Sequence, residues 1–255
     1  AAYLLKKEGY EVEGVTMLVW KENSPFPVPA GNNSCYCPDK SKDLETIARV
    51  CSSLSIPHHI IDCSDIYEKA VLSRFREEYL AAHTPNPCIW CNREVKFGAM
   101  VERASELIDF DYFATGHYAR IGKIGDRYAV LKAKDLRKDQ SYFLSRLSQE
   151  QLARTLFPLG SYTKDQIRAI DEELGFHEPG SSESQDFYGG DYSVLLSTPD
   201  KIGDIVMADG RKVGEHKGYW HYTIGQRRGL NVAYTEPLYV IALEKDRNRV
   251  IVGTE

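Results

Sequence analysis

The sequence predicts an α/β protein: a parallel sheet covered by helices, then an α-rich extension, then a small β-rich module. Three observations carry this. Over the first 116 residues, apolar segments come in the order strand, helix, strand, helix, helix, strand, which within one sheet calls for parallel pairing through helical crossovers. Helical patterns then follow one another from Gln140 to Leu174. From Gly203 onward short β-like runs surround an Asp209-Gly210 turn, a strong hairpin signal. With 255 residues, 42% hydrophobic and 27% charged, the composition is that of an ordinary globular protein, and disorder is excluded as the dominant state.

Ala2 to Glu8 reads as a helix already under way, stopped by Gly9. Glu11 to Trp20 is a strand that loses its polar alternation and becomes buried. The loop that carries Cys35 and Cys37 begins in the Pro/Gly/Asn-rich stretch Ser24 to Ser34. Asp39 to Leu54 fits a helix, with Leu44, Ile47, Ala48 and Cys51 at helical spacing, and His58 to Ile61 is a short strand after Pro57. A helix from Ile66 to about Ala81 is broken by Thr84-Pro85-Asn86-Pro87. Val95, Ala99, Met100 and Ala104 give the next helix, Asn92 to Leu107, one apolar face, and Tyr112 to Gly116 is a strand and its exit. Ligands gather at the carboxyl ends of parallel strands, where Met17 to Trp20, Ile61 to Cys63 and Thr115 to Tyr118 are expected. Helices are expected at Gln140 to Leu147, Gln149 to Leu156 and Lys164 to Leu174, and strand-like runs at Asp204 to Met207, Lys212 to Gly214, Tyr219 to Ile224 and Leu238 to Leu243.

Lys and Arg number 32 against 37 Asp and Glu, a net charge of −5. That weighs against indiscriminate nucleic-acid binding, yet leaves room for a basic surface on one face. No run approaches the roughly 18 apolar residues of a membrane span, and no leader pattern opens the chain, so no membrane partner and a cytoplasmic address are expected.

All six cysteines fall within the first 91 residues, a clustering that points to metal or redox chemistry rather than a disulfide framework. Cys88-Ile89-Trp90-Cys91 precedes a helix, where the dipole and free N–H groups favour thiolate; the alternative is two buried structural cysteines. Cys35 and Cys37, on the same edge of the sheet, could complete a three- or four-thiolate site for iron–sulfur or zinc, or one of them is incidental. Cys51 sits on an apolar helix face and reads as core. Gly116, His117 and Arg120 at a strand exit suit phosphate or base contacts, although a lone histidine there is more often structural. Capping by Asp139 accounts for Lys138-Asp139-Gln140-Ser141 without function. Gly225-Gln226-Arg227-Arg228-Gly229, with His216 and His221 nearby, suits RNA loops as well as it does a solvated hairpin.

Taken together, Thr84-Pro85-Asn86-Pro87-Cys88-x-x-Cys91-Asn92-x-x-x-Lys96-Phe97, Ala114-Thr115-Gly116-His117-Tyr118, Lys138 to Leu144, Ser184-Gln185-Asp186 and Tyr222 to Leu230 resemble the tRNA-specific 2-thiouridylases. The resemblance runs along essentially the whole chain. It implies a catalytic domain of the ATP-pyrophosphatase type, an adenine-nucleotide α-hydrolase-like fold, with a helical tRNA-binding extension over 1–192, a central small β domain over 193–234, and the start of a β-barrel domain over 235–255. It further implies ATP with magnesium, the anticodon stem-loop of tRNA as substrate, and a desulfurase or sulfur-carrier protein as donor. The family adenylates the C2 oxygen of the wobble uridine, and a cysteine-borne persulfide then displaces AMP.

By the same resemblance Cys91 is the nucleophile, Asn86, Pro87 and Cys88 line the target base, and Met17 and Gly116 contact the nucleotide. His117, Lys138, Asp139, Gln140, Gln226 and Arg227 contact tRNA. Three departures bear on the chemistry. The family's Ser-Gly-Gly-x-Asp-Ser phosphate loop, which precedes a helix like Ala2 to Glu8, is not in this sequence, so the chain is expected to be a fragment that binds ATP poorly. Cys88 stands where many members have Asp, and Tyr188 stands where they carry a second catalytic cysteine. The expectation drawn from these is a [4Fe–4S] cluster on Cys88, Cys91 and one of Cys35 or Cys37. Its rival is a persulfide on Cys91 resolved by Cys88 through a disulfide. A non-catalytic tRNA-binding or sulfur-carrier homologue is the alternative in function.

Overall fold

The computed structural model describes residues 1–29, 34–38, 40–176 and 186–254; Ser184 and Gln185 of the fourth motif lie outside them. The chain divides into two compact units, one of Ala1–Val71 with Pro87–Gly189 and the other of Leu72–Asn86 with Gly190–Glu255.

The strands of the first unit are β1 (Gly14–Leu18), β2 (Ser34–Tyr36), β3 (His58–Asp62), β4 (Phe113–Ala114), β5 (Ala119–Ile124), β6 (Arg127–Lys132), β7 (Thr155–Leu156) and β8 (Asp186–Tyr188). β1 pairs with β3, β2 with β8 and β4 with β7, all parallel, and helices occupy the connections, as the α/β class requires. The pairs are separate two-stranded ladders among the described residues, not the single sheet expected. Helix Ser41–Ser53 buries Cys51 as the periodicity predicts. Helix Ala2–Lys7 buries Leu4 and Leu5, and Leu4 packs into a cluster with Tyr118, Ala133 and Leu159.

Two expected helices change character. Ile66 to Ala81 resolves into Ser64–Tyr67, a π-helical stretch Glu68–Ser73, and Arg74–Leu80. The helix expected from Asn92 begins five residues earlier, at Pro87, because proline is well tolerated in a first turn; it runs as Pro87–Trp90, a π-helical Cys91–Ala99, and Met100–Ser105. The Cys-x-x-Cys pair is thus inside the helix. In the π segment Arg93 and Phe97 offer their carbonyls to the side-chain amide of Gln151, at 2.8 and 2.9 Å. Gln151 is itself fixed by the capping box it forms with Ser148.

β5 and β6 form a hairpin that hydrophobic patterning did not reveal, closed by the two-residue turn Gly125-Asp126 with Gly125 at φ +59°. Gly160 is needed at its base, since a Cβ there would stand 1.8 Å from the Ala119 carbonyl oxygen. The expected helix Gln149 to Leu156 stops at Ala153, and Thr155–Leu156 becomes β7.

The second unit holds β9 (Gly203–Met207), β10 (Lys212–His216), β11 (Tyr239–Glu244) and β12 (Arg249–Gly253) in one sheet of order β10-β9-β12-β11, parallel only between β12 and β9. The expected domain start at residue 235 therefore falls inside one hydrogen-bonded sheet. The run at Tyr219 to Ile224 is not a strand. Tyr219 and Trp220 are both buried, which strand alternation would forbid on a one-sided sheet, and a 3₁₀ turn over Tyr219–His221 achieves it. Segment 72–86 joins this unit: Phe75 packs edge-on to Tyr192, and the Tyr219 hydroxyl donates to the Leu80 carbonyl at 2.6 Å.

Candidate functional site

Cys88 lies in the helical turn Pro87–Trp90 and Cys91 opens the π segment, so the two thiols are three residues apart on a helix and face the same side. Both are half-buried. Burial pushes the Cys91 thiol up to about 12, against a downward pull from the Lys96 ammonium, with Cys35, Cys88 and Cys63 adding further upward pressure. At Cys91 the thiolate expected from the helix start is disfavoured, because desolvation outweighs the field of the Pro87–Ser105 helix one turn in from its start.

Cys35 is exposed on β2, whereas Cys37, just past the strand, is buried in the core. Among the described residues no group of three or more His, Cys, Asp or Glu side chains comes together to hold a metal ion. The donor set of Cys88, Cys91 and one of Cys35 or Cys37 therefore does not assemble a [4Fe–4S] site among the described residues, although Cys35 lies near enough to act electrostatically on both Cys91 and Tyr67.

A cavity of about 930 Å³ opens beside the carboxyl end of β1 and the exit of β4, and its lining includes Met17, Gly116, His117, Gln140 and Lys96. Four of the residues singled out in the sequence are thus brought to one space, of a size that accommodates a nucleotide-sized ligand. His117 is held by Thr115, whose hydroxyl lies 2.7 Å from Nδ1, and its ring rests against Phe97 and Phe157. Burial, helped by the Lys96 charge, lowers its pKa to about 3, so His117 is a neutral imidazole; of the phosphate and base contacts its sequence setting offers, this favours the uncharged base. Lys96 joins the two halves of the site. It lines the cavity, acts on both Cys91 and His117, and forms no ion pair with a carboxylate among the described residues. In an α-helix residues five apart point about 140° away from each other; the π winding, which closes i to i+5, turns Lys96 back toward Cys91.

The segment Lys138 to Gln140 does not cap a helix through Asp139. Asp139 accepts from the Ala133 amide at 2.7 Å and the Ser141 hydroxyl at 2.6 Å, and Gln140 accepts from the Tyr118 amide at 2.9 Å. In the second unit Gln226 shapes its own loop, accepting from the Thr223 amide and donating to the Arg228 carbonyl, both at 2.9 Å, while Arg227 is exposed. Asn86 belongs to the second unit and Pro87 is buried in the first.

Residues 1–188 match the family model described as a tRNA methyl transferase HUP domain, and residues 195–254 match a tRNA methyl transferase PRC-barrel domain. The relatives carry a more specific name. The tRNA-specific 2-thiouridylase MnmA of Endomicrobium trichonymphae is 46% identical over 260 residues, covering 100% of this chain and 72% of its own. The proteins of the same name from Moorella thermoacetica, at 44% over 262 residues (99% and 72%), and Clostridium botulinum strain Eklund 17B, at 42% over 263 residues (100% and 71%), agree. The chain belongs to the tRNA-specific 2-thiouridylase family.

In this 2-thiouridylase the neighbourhood of the thiols is built from tyrosines. Tyr36 stacks on Tyr67 at 6.1 Å between ring centres and on Tyr188 at 6.2 Å, and the β2–β8 ladder sets Tyr36 opposite Tyr188. Tyr188 is a core residue whose hydroxyl donates to the Pro27 carbonyl at 3.2 Å. Tyr67 is fully buried, its hydroxyl has no hydrogen-bond partner among the described residues, and after burial the nearest electrostatic influences on it are Cys91, Cys35 and Cys88. Tyr67 and Lys96 are the site residues that sequence reasoning gave no role. An aromatic one turn into an apolar helix carries no sign of its neighbours, and Lys96 stood in a motif without a partner. No helix among the described residues is long and apolar enough to cross a membrane.

Proposed function

We propose that this chain is a tRNA-uridine 2-sulfurtransferase that uses ATP, as its magnesium complex, to activate the C2 oxygen of the wobble uridine before replacing it with sulfur. The observation that carries the reading is the juxtaposition, across Lys96, of a nucleotide-sized cavity holding Met17 and Gly116 with the Cys88 and Cys91 pair, in a chain of this family.

The C2 oxygen attacks the α-phosphorus of ATP and pyrophosphate leaves. The outer sulfur of a Cys91 persulfide, loaded by a desulfurase or sulfur-carrier protein, attacks C2 and AMP leaves. The Cys88 thiol then attacks Cys91 Sγ, releasing the thiolated base and forming a Cys88–Cys91 disulfide, which an external dithiol reduces to the two thiols. Helical i, i+3 spacing supports Cys88 as the partner, since it brings the two side chains to one face. Asn86 and Pro87 flank the base, and His117, Lys138, Asp139, Gln140, Gln226 and Arg227 serve the tRNA. No step is routed through a cluster.

The test is single-turnover thiolation of tRNA by the full-length protein, read by nucleoside mass spectrometry. Cys91→Ser abolishes 2-thiouridine, whereas Cys88→Ser blocks release of the base and traps tRNA joined to Cys91 Sγ through a C2–S–S linkage. Iron and sulfide in active, anaerobically purified protein would overturn the persulfide route, and unchanged 2-thiouridine in tRNA from a deletion strain would overturn the function itself.

A further inference from the structure

In a chain of net charge −5, residues 119–132 carry four cations, Arg120, Lys123, Arg127 and Lys132, against one acid, Asp126. None of the four forms an ion pair with a carboxylate among the described residues. All four are exposed. Unneutralised positive charge concentrated on one projecting element of an acidic protein is the footprint of a polyanionic partner.

The strand register sorts the hairpin's two faces. Ala119, Ile121 and Lys123 share a face with Lys132, Val130 and Tyr128. This face turns inward at its centre and base, for Ala119 is fully buried and Ile121, Tyr128 and Val130 are half-buried, with only the long Lys123 and Lys132 side chains exposed. Arg120, Gly122 and Ile124 share the opposite face with Leu131, Ala129 and Arg127. It turns outward, with Ile124 70% and Leu131 37% exposed. Two arginines therefore bracket a shallow waist of Gly122 and Ala129, roughly 13 Å apart for four residues of strand. The Leu131 side chain lies over Gly122, where a Cβ would come within 2.7 Å of it, so the waist is capped by an apolar side chain, and the aliphatic groups beside the arginines suit ribose edges rather than phosphates.

The hairpin is not an independent arm. Gln140 holds Tyr118, the residue before β5, and Asp139 holds Ala133, the residue after β6. The segment 138–140, which the proposed function assigns to tRNA, is thus the clamp at the root of the hairpin, and the charged face continues from it.

We infer that the outward face of the β5–β6 hairpin is a second RNA-contacting surface, with Arg120 and Arg127 on phosphates and Ile124 and Leu131 against the sugars of a double-helical stem. A-form RNA presents a wide, shallow minor groove edged by phosphates and 2′-hydroxyls, which a two-stranded ribbon can lie against without reading sequence. This rests on the proposed tRNA reading, and goes beyond it in assigning contacts away from the reacting base.

The test is the affinity of the full-length protein for unmodified tRNA transcript, measured over a series of potassium chloride concentrations. Arg120→Gln with Arg127→Gln should weaken binding about tenfold at low salt and flatten the log–log salt slope by roughly 1.5, near the value for two lost phosphate contacts. Single-turnover thiolation at saturating tRNA should stay at the wild-type rate, separating binding from chemistry, and a thermal melt superimposable on wild type confirms that the exposed substitutions spare the fold. An unchanged affinity and slope in the folded double variant overturns the proposal while leaving the tRNA reading intact. So does an Ile124→Asp, Leu131→Asp variant that changes the mass in solution but not tRNA affinity, since the face would then join protein copies. Wild-type protein with no affinity for tRNA overturns both.

Discussion

Cys91 is governed by two opposed effects, and the balance sets its reactivity. Burial holds its proton, while the Lys96 charge favours release. Lys96→Met should therefore slow iodoacetamide alkylation of Cys91 at pH 8 to 9 and move the pH midpoint upward, with Lys96→Arg restoring most of the loss; superimposable alkylation profiles would remove Lys96 from this role. The pKa shifts also set stability. His117 is lowered to about 3 from an unfolded value near 6.5, so the unfolded chain binds the extra proton, and stability present above pH 6.5 is lost as pH falls from 6.5 toward 3. Urea titrations across this range should show a slope of up to about 1.4 kcal/mol per pH unit in wild type, reduced in His117→Gln. For Cys91, raised to about 12, the folded state keeps its proton above pH 8.5, and stability falls as pH rises from there. Tyr67→Phe deletes a buried hydroxyl that has no partner among the described residues, so it should leave the urea midpoint unchanged or raise stability by up to about 1 kcal/mol. A clear loss of stability would mean that the hydroxyl is bonded.

At the scale of elements, the Pro87–Ser105 helix depends on a side chain far along the chain. Gln151 donates to the Arg93 and Phe97 carbonyls where the π winding leaves them available. Gln151→Ala should cost about 1 to 3 kcal/mol by urea denaturation and slow thiolation, because the π turn relaxes and Lys96 rotates away from Cys91. Gly160→Ala places a methyl against the Ala119 carbonyl and should cost about 3 kcal/mol, read the same way, as the hairpin base must shift. The amphipathic helix Ser41–Ser53 and the Asp209-Gly210 hairpin were legible in the sequence because local periodicity and turn chemistry suffice for them. The β5–β6 hairpin was not, since its outward face mixes Arg120, Gly122 and Ile124 and so lacks polar alternation. The π winding also escaped notice, because its hydrogen bonds are completed by Gln151 from another helix.

For the molecule as a whole, the second unit draws residues from two separated stretches. Phe75 packs on Tyr192 and the Leu80 carbonyl receives the Tyr219 hydroxyl. A polypeptide of residues 190–255 alone should therefore bind a hydrophobic dye and melt with low cooperativity, and adding a covalently linked 72–86 segment should suppress both; equal cooperative melts would show that the sheet suffices. By itself the sequence determined the α/β class, the parallel pairing, the family, and the Cys88 and Cys91 pair, because these rest on local pattern and on motifs contiguous in the chain. Only the tertiary structure decided which groups share a space. It brought Lys96 near both Cys91 and His117, stacked Tyr67, Tyr36 and Tyr188, and left Cys35 exposed while burying Cys37. The reason is physical: burial and distance fix a thiol's proton, a histidine's charge and a metal's donor set, and neither is encoded in the spacing of residues along one strand or helix.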